Sequence, residues 1–235
     1  MHPKDFEHVL ADNLLVLTQI CKQSKEYYPG VKNLDICNDL VIFLKGDNRF
    51  LKVKVCNLVG QMCKHSDFFY EDLDQAGVFP EMIKLCGDDD KVVKKASSFA
   101  IGNAAYYSDT LYETLSPAIL YIVALLKDND ERIKTNSIGT ISNLTRNSDH
   151  LVPEILNYEI PSIFVDLLLY DNSLTVKKLV LHAFRNFFKH SKILKTLKGL
   201  FDEKKKKQLN ALAENTHNSD LAKHIFNVKK KLGIK

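Results

Sequence analysis

Tryptophan is absent from the 235 residues, and glycine, proline and methionine number only 9, 6 and 3. With 45% hydrophobic and 26% charged residues, this balance excludes disordered and fibrous classes and is typical of a globular protein with a sizeable core. No uncharged run of about 18 residues could cross a bilayer. The first 30 residues mix charges such as Lys4, Asp5 and Lys22 into every apolar stretch, unlike a signal peptide. We therefore expect a soluble, cytoplasmic chain without a membrane partner.

Recognisable catalytic and cofactor motifs are also missing. The sequence has no G-x-S-x-G, no P-loop and no dinucleotide fingerprint. His217 and His224 are seven residues apart and could share a helical face, but they lack the cysteine or carboxylate companions of a metal site. Residues 88–90 are three aspartates, which helix capping and solvation explain better than a bound cation. We expect no catalytic residue, no metal and no cofactor in this chain.

Cysteine usage indicates thiols and not disulfides. The count of five is odd, and no two cysteines form a C-x-x-C pair. Cys56 and Cys63 lie seven apart on one predicted helical face, where a thiol acts as a small hydrophobe. We predict that the cysteines are reduced and that these two pack in the core.

A period near forty residues runs through the middle of the chain. A serine follows each of His65, Tyr107, Asn147 and His190, and these serines are 42, 40 and 43 residues apart. Five residues before the serines stand, in order, Gln61, Asn103, Asn143 and Asn186. A repeat of this length built from two or three helices is typical of the HEAT and armadillo class.

Each repeat is predicted to contain a helix, a polar turn and a longer helix. Proline stands where it suits a first helical turn at Pro80, Pro117 and Pro161. Polar turns that can cap the longer helix lie at residues 46–48, 87–90, 128–130 and 171–173. The longer helix contains glycines at Gly60, Gly102 and Gly139. Because a helical glycine costs about 1 kcal/mol against alanine, these three predict tight contacts between neighbouring helices.

The fold class follows from the period. We predict an all-α fold, a right-handed α-solenoid of about four armadillo-like repeats with partial capping units. One repeat cannot bury its apolar face alone, so neighbours complete each other's core and the chain is predicted to be a single domain. The predicted boundaries are a partial cap at 1–35, whose apolar residues run from Phe6 to Ile20, repeats at 36–77, 78–117, 118–159 and 160–200, and a basic C-terminal cap at 201–235.

The amide column predicts a binding groove. Stacked armadillo repeats line a concave surface with their third helices, so a side chain repeated at one helical position becomes a ladder. Amides can donate to and accept from an extended peptide backbone of any sequence. We predict that Gln61, Asn103, Asn143 and Asn186 form such a ladder for a protein or extended peptide. The alternative is that these amides tie one helix to the next turn or face water.

Aromatic and basic residues lie close to the ladder in sequence, and Tyr and Arg are typical interface anchors. The predicted groove therefore also includes Tyr106, Tyr107, Arg146, His182 and Arg185. The alternative for each is a solvated surface residue. Armadillo proteins that import nuclear cargo place tryptophan four residues before the ladder asparagine, where this chain has Asn57, Phe99, Gly139 and His182. Nuclear cargo binding is therefore not expected.

Two stretches carry a more specific resemblance. Residues 99–115 read FAIGNAAYYSDTLYETL and residues 134–149 read KTNSIGTISNLTRNSD. Both resemble the C-terminal armadillo region of Fused-type serine/threonine kinases, and the similarity is best over residues 78–170. The resemblance implies a regulatory, partner-binding module, with kinesin-like proteins and ciliary, microtubule-associated or Hedgehog-pathway components as partners. No Gly-rich loop, H-R-D or D-F-G occurs here, so the chain is expected to be a fragment or a stand-alone relative without kinase activity.

Positive charge is concentrated toward the end of the sequence. Residues 176–235 hold 16 Lys and Arg against 4 Asp and Glu, which leaves 17 against 25 for residues 1–175. We predict a basic patch at Lys204, Lys205, Lys206, Lys207, Lys229, Lys230 and Lys231. It could attract an acidic protein surface, or it could be a solvated capping face. Few aromatics interleave with these lysines, so a nucleic-acid-binding repeat is only the alternative function.

Overall fold

The computed structural model describes residues 3–234, and the side chains of residues 7–234 within them. The predicted domain limits at Met1 and Lys235, and the side chain of Phe6, lie outside this part. The described residues form sixteen α-helices, one short 3-10 helix at Lys25–Tyr27 and no strand. The all-α prediction is confirmed.

In chain order the α-helices are α1 (Pro3–Gln23), α2 (Tyr28–Lys32), α3 (Cys37–Lys45), α4 (Arg49–Met62), α5 (Tyr70–Gln75), α6 (Val78–Leu85), α7 (Lys91–Ala104), α8 (Tyr112–Leu115), α9 (Ala118–Leu125), α10 (Glu131–Leu144), α11 (Val152–Asn157), α12 (Ile160–Tyr170), α13 (Leu174–Phe187), α14 (Ser191–Leu200), α15 (Glu203–Asn215) and α16 (Ser219–Leu232).

The helices after α1 follow one another in triplets. In the first four triplets a short helix is followed by a middle helix and a longer third helix, and the third helices are α4, α7, α10 and α13. A fifth triplet, α14 to α16, occupies the region predicted as the end of one repeat plus the basic cap. The predicted repeats begin near the middle helix, because the short helices α5, α8 and α11 have only one or two turns and leave little periodic signal.

The chain divides into two compact units between Ile122 and Val123. In the first unit α1, α4 and α7 pack side by side, and α3 packs against α6. In the second unit α10, α13 and α16 pack side by side, and α12 packs against α13 and α14. Each unit thus stacks its third helices, the arrangement expected when repeats shield one another's apolar faces. The boundaries of a single domain stay a prediction.

Polar caps begin the third helices, as predicted. The side-chain oxygens of Asn48, Asp90 and Asp130 each accept hydrogen bonds from two backbone N–H groups of the following turn, at 2.7 to 3.3 Å. Ser173 caps α13 through the Val176 N–H at 3.2 Å. These bonds satisfy N–H groups that have no partner within the helix. The prolines also match: Pro80 and Pro161 lie in the first turns of α6 and α12, and Pro117 directly precedes α9.

Four of the five cysteines lie in the core. Cys21, Cys56, Cys63 and Cys86 are free and buried, while Cys37 is half-buried. Burial raises the pKa of the Cys21 thiol to about 11 and that of Cys86 to about 12. The prediction that Cys56 and Cys63 pack as small hydrophobes is confirmed, because both side chains are fully buried. Burial also raises the pKa of both thiols, which keeps them neutral.

The three helical glycines do not share one role. A Cβ added at Gly60 of α4 would lie 2.5 Å from Cε1 and 2.7 Å from Cδ1 of Phe99 on α7, so the predicted tight contact is confirmed there. The same expectation is wrong for Gly139 of α10, where an added Cβ would meet nothing within 4 Å. At Gly102 it stays a prediction.

We expect Gly60→Ala to destabilise the protein by about 1–3 kcal/mol, since the new methyl group overpacks the contact between α4 and Phe99. Gly139→Ala is the matched control. It fills open space and replaces a helical glycine, so it should stabilise by up to about 1 kcal/mol. Urea denaturation followed by circular dichroism measures both changes. Equal stability of the two variants would contradict the assignment.

Candidate functional site

The four ladder amides occupy the same helical position. Gln61, Asn103, Asn143 and Asn186 are the penultimate residues of α4, α7, α10 and α13, and all four are half-buried. The sequence column therefore corresponds to one register at the C-terminal ends of the third helices. The amides are neither sealed in the core nor fully in solvent.

Asn103 and Asn186 brace neighbouring helices. The Asn103 Nδ2 donates to the Gly60 carbonyl at 2.8 Å, and the Asn186 Nδ2 donates to the Ser142 carbonyl at 2.8 Å. Both acceptors lie among the last four carbonyls of a helix, which have no partner within it. The tie between helices, considered as an alternative from the sequence, is therefore present at these two positions. The Asn186 Nδ2 also donates to the Ser142 hydroxyl at 3.0 Å, whereas the Asn103 Nδ2 makes one hydrogen bond. Each Oδ1 accepts no hydrogen bond within the described residues.

Gln61 differs from the asparagines. Its Oε1 is buried and receives no hydrogen bond from the described protein atoms. A visiting backbone N–H therefore cannot reach this oxygen, and the expectation that Gln61 both donates and accepts in the ladder is corrected. The longer side chain of glutamine places its amide differently from that of asparagine, so equal residue chemistry in one column does not give equal exposure.

Two buried tyrosines donate hydrogen bonds to the backbone carbonyls of ladder residues, and neither tyrosine was predicted from the sequence. The Tyr28 hydroxyl donates to the Gln61 carbonyl at 2.7 Å, and the Tyr70 hydroxyl donates to the Asn103 carbonyl at 3.1 Å. Burial raises the pKa of both phenols, so they remain donors. A signal was available, since Tyr28, Tyr70 and Tyr112 are each 42 residues apart.

The residue before the marker serine links neighbouring repeats at three of the four positions. In these three a ring nitrogen or hydroxyl binds a backbone carbonyl 43 to 45 residues earlier, and the pairs are His65 with Lys22 at 3.2 Å, Tyr107 with Lys64 at 3.0 Å and His190 with Thr145 at 2.5 Å. His190 also binds Asp149 through Nδ1. The serine motif therefore marks repeat stacking and is not a direct sign of function.

The predicted aromatic residues form a step beside Asn103. The rings of Tyr106 and Tyr107 are 39% and 41% exposed by residue and meet edge to face, with centroids 4.9 Å apart. Because the Tyr107 hydroxyl is bound to the Lys64 carbonyl, its ring is held in place. The Tyr106 N–H donates to the Asn103 carbonyl at 3.1 Å, so the pair follows directly after the ladder residue. That the two rings line a groove stays a prediction.

The predicted basic groove residues lie on the second unit. Arg185 and His182 are exposed on α13, and Arg146 is half-buried just after α10. The imidazole of His182 contacts that of His224 on α16, with centroids 4.5 Å apart. Burial, followed by the nearby charges of His224, Arg185 and Lys178, lowers the pKa of His182. The contact between His182 and His224 was not predicted from the sequence, where His224 was paired with His217. His217 lies before α16 and does not share a helix with His224.

The predicted basic patch comes from two separate helices. Residues 204–207 lie in the first turns of α15, and residues 229–231 lie in the last turn of α16. Lys206 pairs with Glu203 at 2.6 Å and Lys205 with Asp166 at 3.6 Å. Fewer of these lysines are therefore free of carboxylates than the sequence run suggests.

Within residues 7–234, whose side chains are described, no group of three or more His, Cys, Asp or Glu side chains could hold a metal ion. No helix in this part of the chain is both long and apolar enough to cross a membrane.

No family model matches the sequence, and no curated protein matches it. Solved structures do match. A designed armadillo repeat protein in complex with the peptide (KR)4 is 20% identical, with a TM-score of 0.87 over 98% of this chain and 95% of that one. A second designed armadillo repeat protein is 20% identical, with a TM-score of 0.83 over 95% of this chain and 93% of that one. Computationally designed armadillo repeat proteins for modular peptide recognition give 20% and 0.82 over 94% and 92%. The predicted armadillo-type α-solenoid fold is confirmed.

We expect Asn186→Ala to lower the free energy of unfolding by about 0.5–1.5 kcal/mol, because the Ser142 carbonyl and hydroxyl lose the Asn186 donor and the carbonyl keeps only the Thr145 hydroxyl. Asn227→Ala is the control, since Asn227 is exposed in the interior of α16 and makes no such bond. Thermal and urea unfolding give the comparison. An Asn186→Ala variant as stable as the Asn227→Ala control would contradict the bracing role.

Proposed function

We propose that this chain is a non-catalytic scaffold that binds an extended segment of a partner protein across its third helices. The observation that carries the proposal is the amide register: Asn103 and Asn186 donate from Nδ2 to the preceding third helix, and the Oδ1 of each accepts no hydrogen bond from the described residues. A fixed amide with a free Oδ1 can accept from a peptide N–H, and Asn103, whose Nδ2 makes one hydrogen bond, has a second N–H that can donate to a peptide carbonyl.

Pre-orientation favours such binding. An immobilised side chain costs about 0.5–1.5 kcal/mol of ordering on association. In Asn103 and Asn186 the hydrogen bond to the preceding helix has already ordered the amide. Less side-chain entropy is therefore lost when a partner binds. Open space above Gly139, four residues before the ladder Asn143, supports approach of a visiting chain to the helix backbone. The proposed role is binding, and no catalytic residue or cofactor is assigned.

Similar solved structures support the same reading. One is a designed armadillo repeat protein in complex with the peptide (KR)4, and another group was designed for modular peptide recognition. These structures resemble this chain in fold alone. The nature of the peptide segment that this chain binds is therefore part of the proposal.

The finer proposal concerns the biological setting. The resemblance of residues 99–115 and 134–149 to Fused-type kinases favours a regulatory armadillo module that recruits kinesin-like, ciliary or microtubule-associated partners. It rests on those motifs alone. The alternative, a nucleic-acid-binding repeat acting through the lysine-rich end, is weakened by the carboxylate partners of Lys205 and Lys206.

Selection from a phage-displayed library of random linear peptides tests the scaffold function. We expect peptides that bind the wild-type protein and lose about twofold to tenfold in affinity against Asn103→Ala or Asn186→Ala, the effect of one net hydrogen bond. Asn172→Ala, in an exposed turn before α13, is the control. Titrations are run below the unfolding transition of each variant. A library that yields no binder, or binders insensitive to both ladder variants, would remove the function.

Co-sedimentation with stabilised microtubules tests the finer proposal. We expect the wild-type protein to pellet with microtubules and the variant with Lys229→Gln, Lys230→Gln and Lys231→Gln to pellet less. At the end of α16 Lys230 and Lys231 are exposed and Lys229 is half-buried, so the variant loses positive charge from this surface. The variant with Lys204→Gln and Lys207→Gln separates the two lysine runs. Wild-type protein that stays in the supernatant at low salt would count against a direct microtubule partner.

A further inference from the structure

The third helices of both units have few carboxylates, and α4 and α7 contain none, but only α13 and α16 have cations in their C-terminal halves. The α13 sequence LTVKKLVLHAFRNF contains no Asp or Glu. In α10 and α16 the carboxylates are confined to the first two residues, at Glu131 and Asp220. The C-terminal parts of these three helices, two of which contain the ladder amides Asn143 and Asn186, therefore carry no negative side chain.

Basic residues line one side of α13. Lys178, His182 and Arg185 are spaced by four and three residues within α13, and Lys189 follows two residues after its end. The positive charge comes from Lys178, Arg185 and Lys189, since the pKa of His182 is lowered. His224 of α16 joins them through its ring contact with His182. We call these five residues the cationic face. Asn186 lies directly after Arg185, so the amide with its free Oδ1 is part of this surface.

The charges of the cationic face have no carboxylate partners. Among the described residues, Lys178, Arg185 and Lys189 make no ion pair, and the Lys189 Nζ instead donates to the Arg146 carbonyl at 3.1 Å. Elsewhere the fold pairs cations and carboxylates of neighbouring repeats: Lys32 with Asp72 at 2.8 Å, Arg49 with Asp90 at 2.8 Å and Lys134 with Asp171 at 2.5 Å. Stacking of repeats can therefore supply a carboxylate, but it supplies none here.

The surroundings of His182 give a second sign of a positive field. After burial, the causes that lower its pKa are the positive groups His224, Arg185 and Lys178, and no carboxylate opposes them. Helix dipoles do not explain the stripe as a whole. A dipole stabilises cations within the last turn of a helix, which covers Arg185, whereas Lys178 is the fifth of fourteen residues in α13.

We propose that the cationic face binds a partner segment rich in glutamate or aspartate, opposite in charge to the (KR)4 peptide of the designed neighbour. The proposal rests on the scaffold function above and adds its selectivity. Carboxylates of the segment meet Lys178, Arg185 and Lys189, while its backbone meets the Asn186 amide. Uncompensated charge of one sign also speeds encounter with an oppositely charged segment and rejects a basic one.

Three fluorescent octapeptides test this selectivity: alternating Glu and Ser, the same peptide with Gln for Glu, and the same with Lys for Glu. We expect affinity to fall in that order, by about tenfold from Glu to Gln at low salt, because each exposed charge pair contributes a few-fold. Raising NaCl from about 50 mM to about 500 mM should shrink that advantage, since the screening length becomes short.

Charge-reversal variants locate the site. Lys178→Glu with Arg185→Glu should abolish the preference for the Glu peptide, and Lys178→Gln with Arg185→Gln provides a milder variant if the first does not fold. Lys204→Glu with Lys207→Glu makes the same change in net charge on α15 and should leave the preference intact.

Several outcomes would overturn the proposal. Equal binding of the Glu and Gln peptides would remove acidic selectivity while leaving the scaffold function, which the random library tests separately. The same conclusion follows if none of the three peptides binds. Equal loss in the α15 control would show that only net charge matters. An oligouridine of equal length that binds more tightly than the Glu peptide, and is lost with Lys178→Glu and Arg185→Glu, would assign the face to nucleic acid.

Discussion

The unpaired carbonyl groups at the C-terminal ends of the third helices are the constraint on which the described structure depends. A helix leaves its last four carbonyls without internal partners, and a repeat fold places several such ends close to one another. Here side chains of neighbouring elements supply the donors: Asn103 to Gly60, Asn186 to Ser142, and Tyr28 and Tyr70 from within their own triplets. The side chains that provide hydrogen-bond donors for these carbonyls therefore also connect the helices that stack.

That solution also prepares the candidate site. An asparagine can donate twice and accept at one oxygen, so a single brace leaves part of its capacity for a partner. The Nδ2 hydrogen bond that stabilises the stack also fixes the orientation of the Oδ1 in the same amide. In the proposed function, a change at Asn103 or Asn186 would therefore affect both stability and binding. Gln61, whose oxygen is buried, shows that the column does not guarantee the function.

The cationic face departs from the pairing of charges found elsewhere in the fold. Between repeats, Lys134 and Asp171 meet at 2.5 Å with 16% and 9% of their side chains exposed, and the two compensate each other. Burial would raise the pKa of Asp171, but hydrogen bonds from Lys134 and from the Ser173 N–H, with the charge of Lys134, lower it overall. On the cationic face no such carboxylate is present. Within the same unit, the charges between repeats are paired and those of the cationic face are not. The unpaired charges therefore do not contribute to the stacking of repeats.

The sequence alone determined the all-α class, the period, the polar caps of the third helices and the register of the amide column, because these depend on neighbours within about one helical turn or on simple repetition. It could not determine which amide oxygen stays reachable, that Gly60 is tight while Gly139 is open, or that His182 meets His224. Those outcomes depend on side chains about forty residues apart that meet only when the helices stack. Tertiary packing decided them, since local spacing carries no information about the distance between two separate helices.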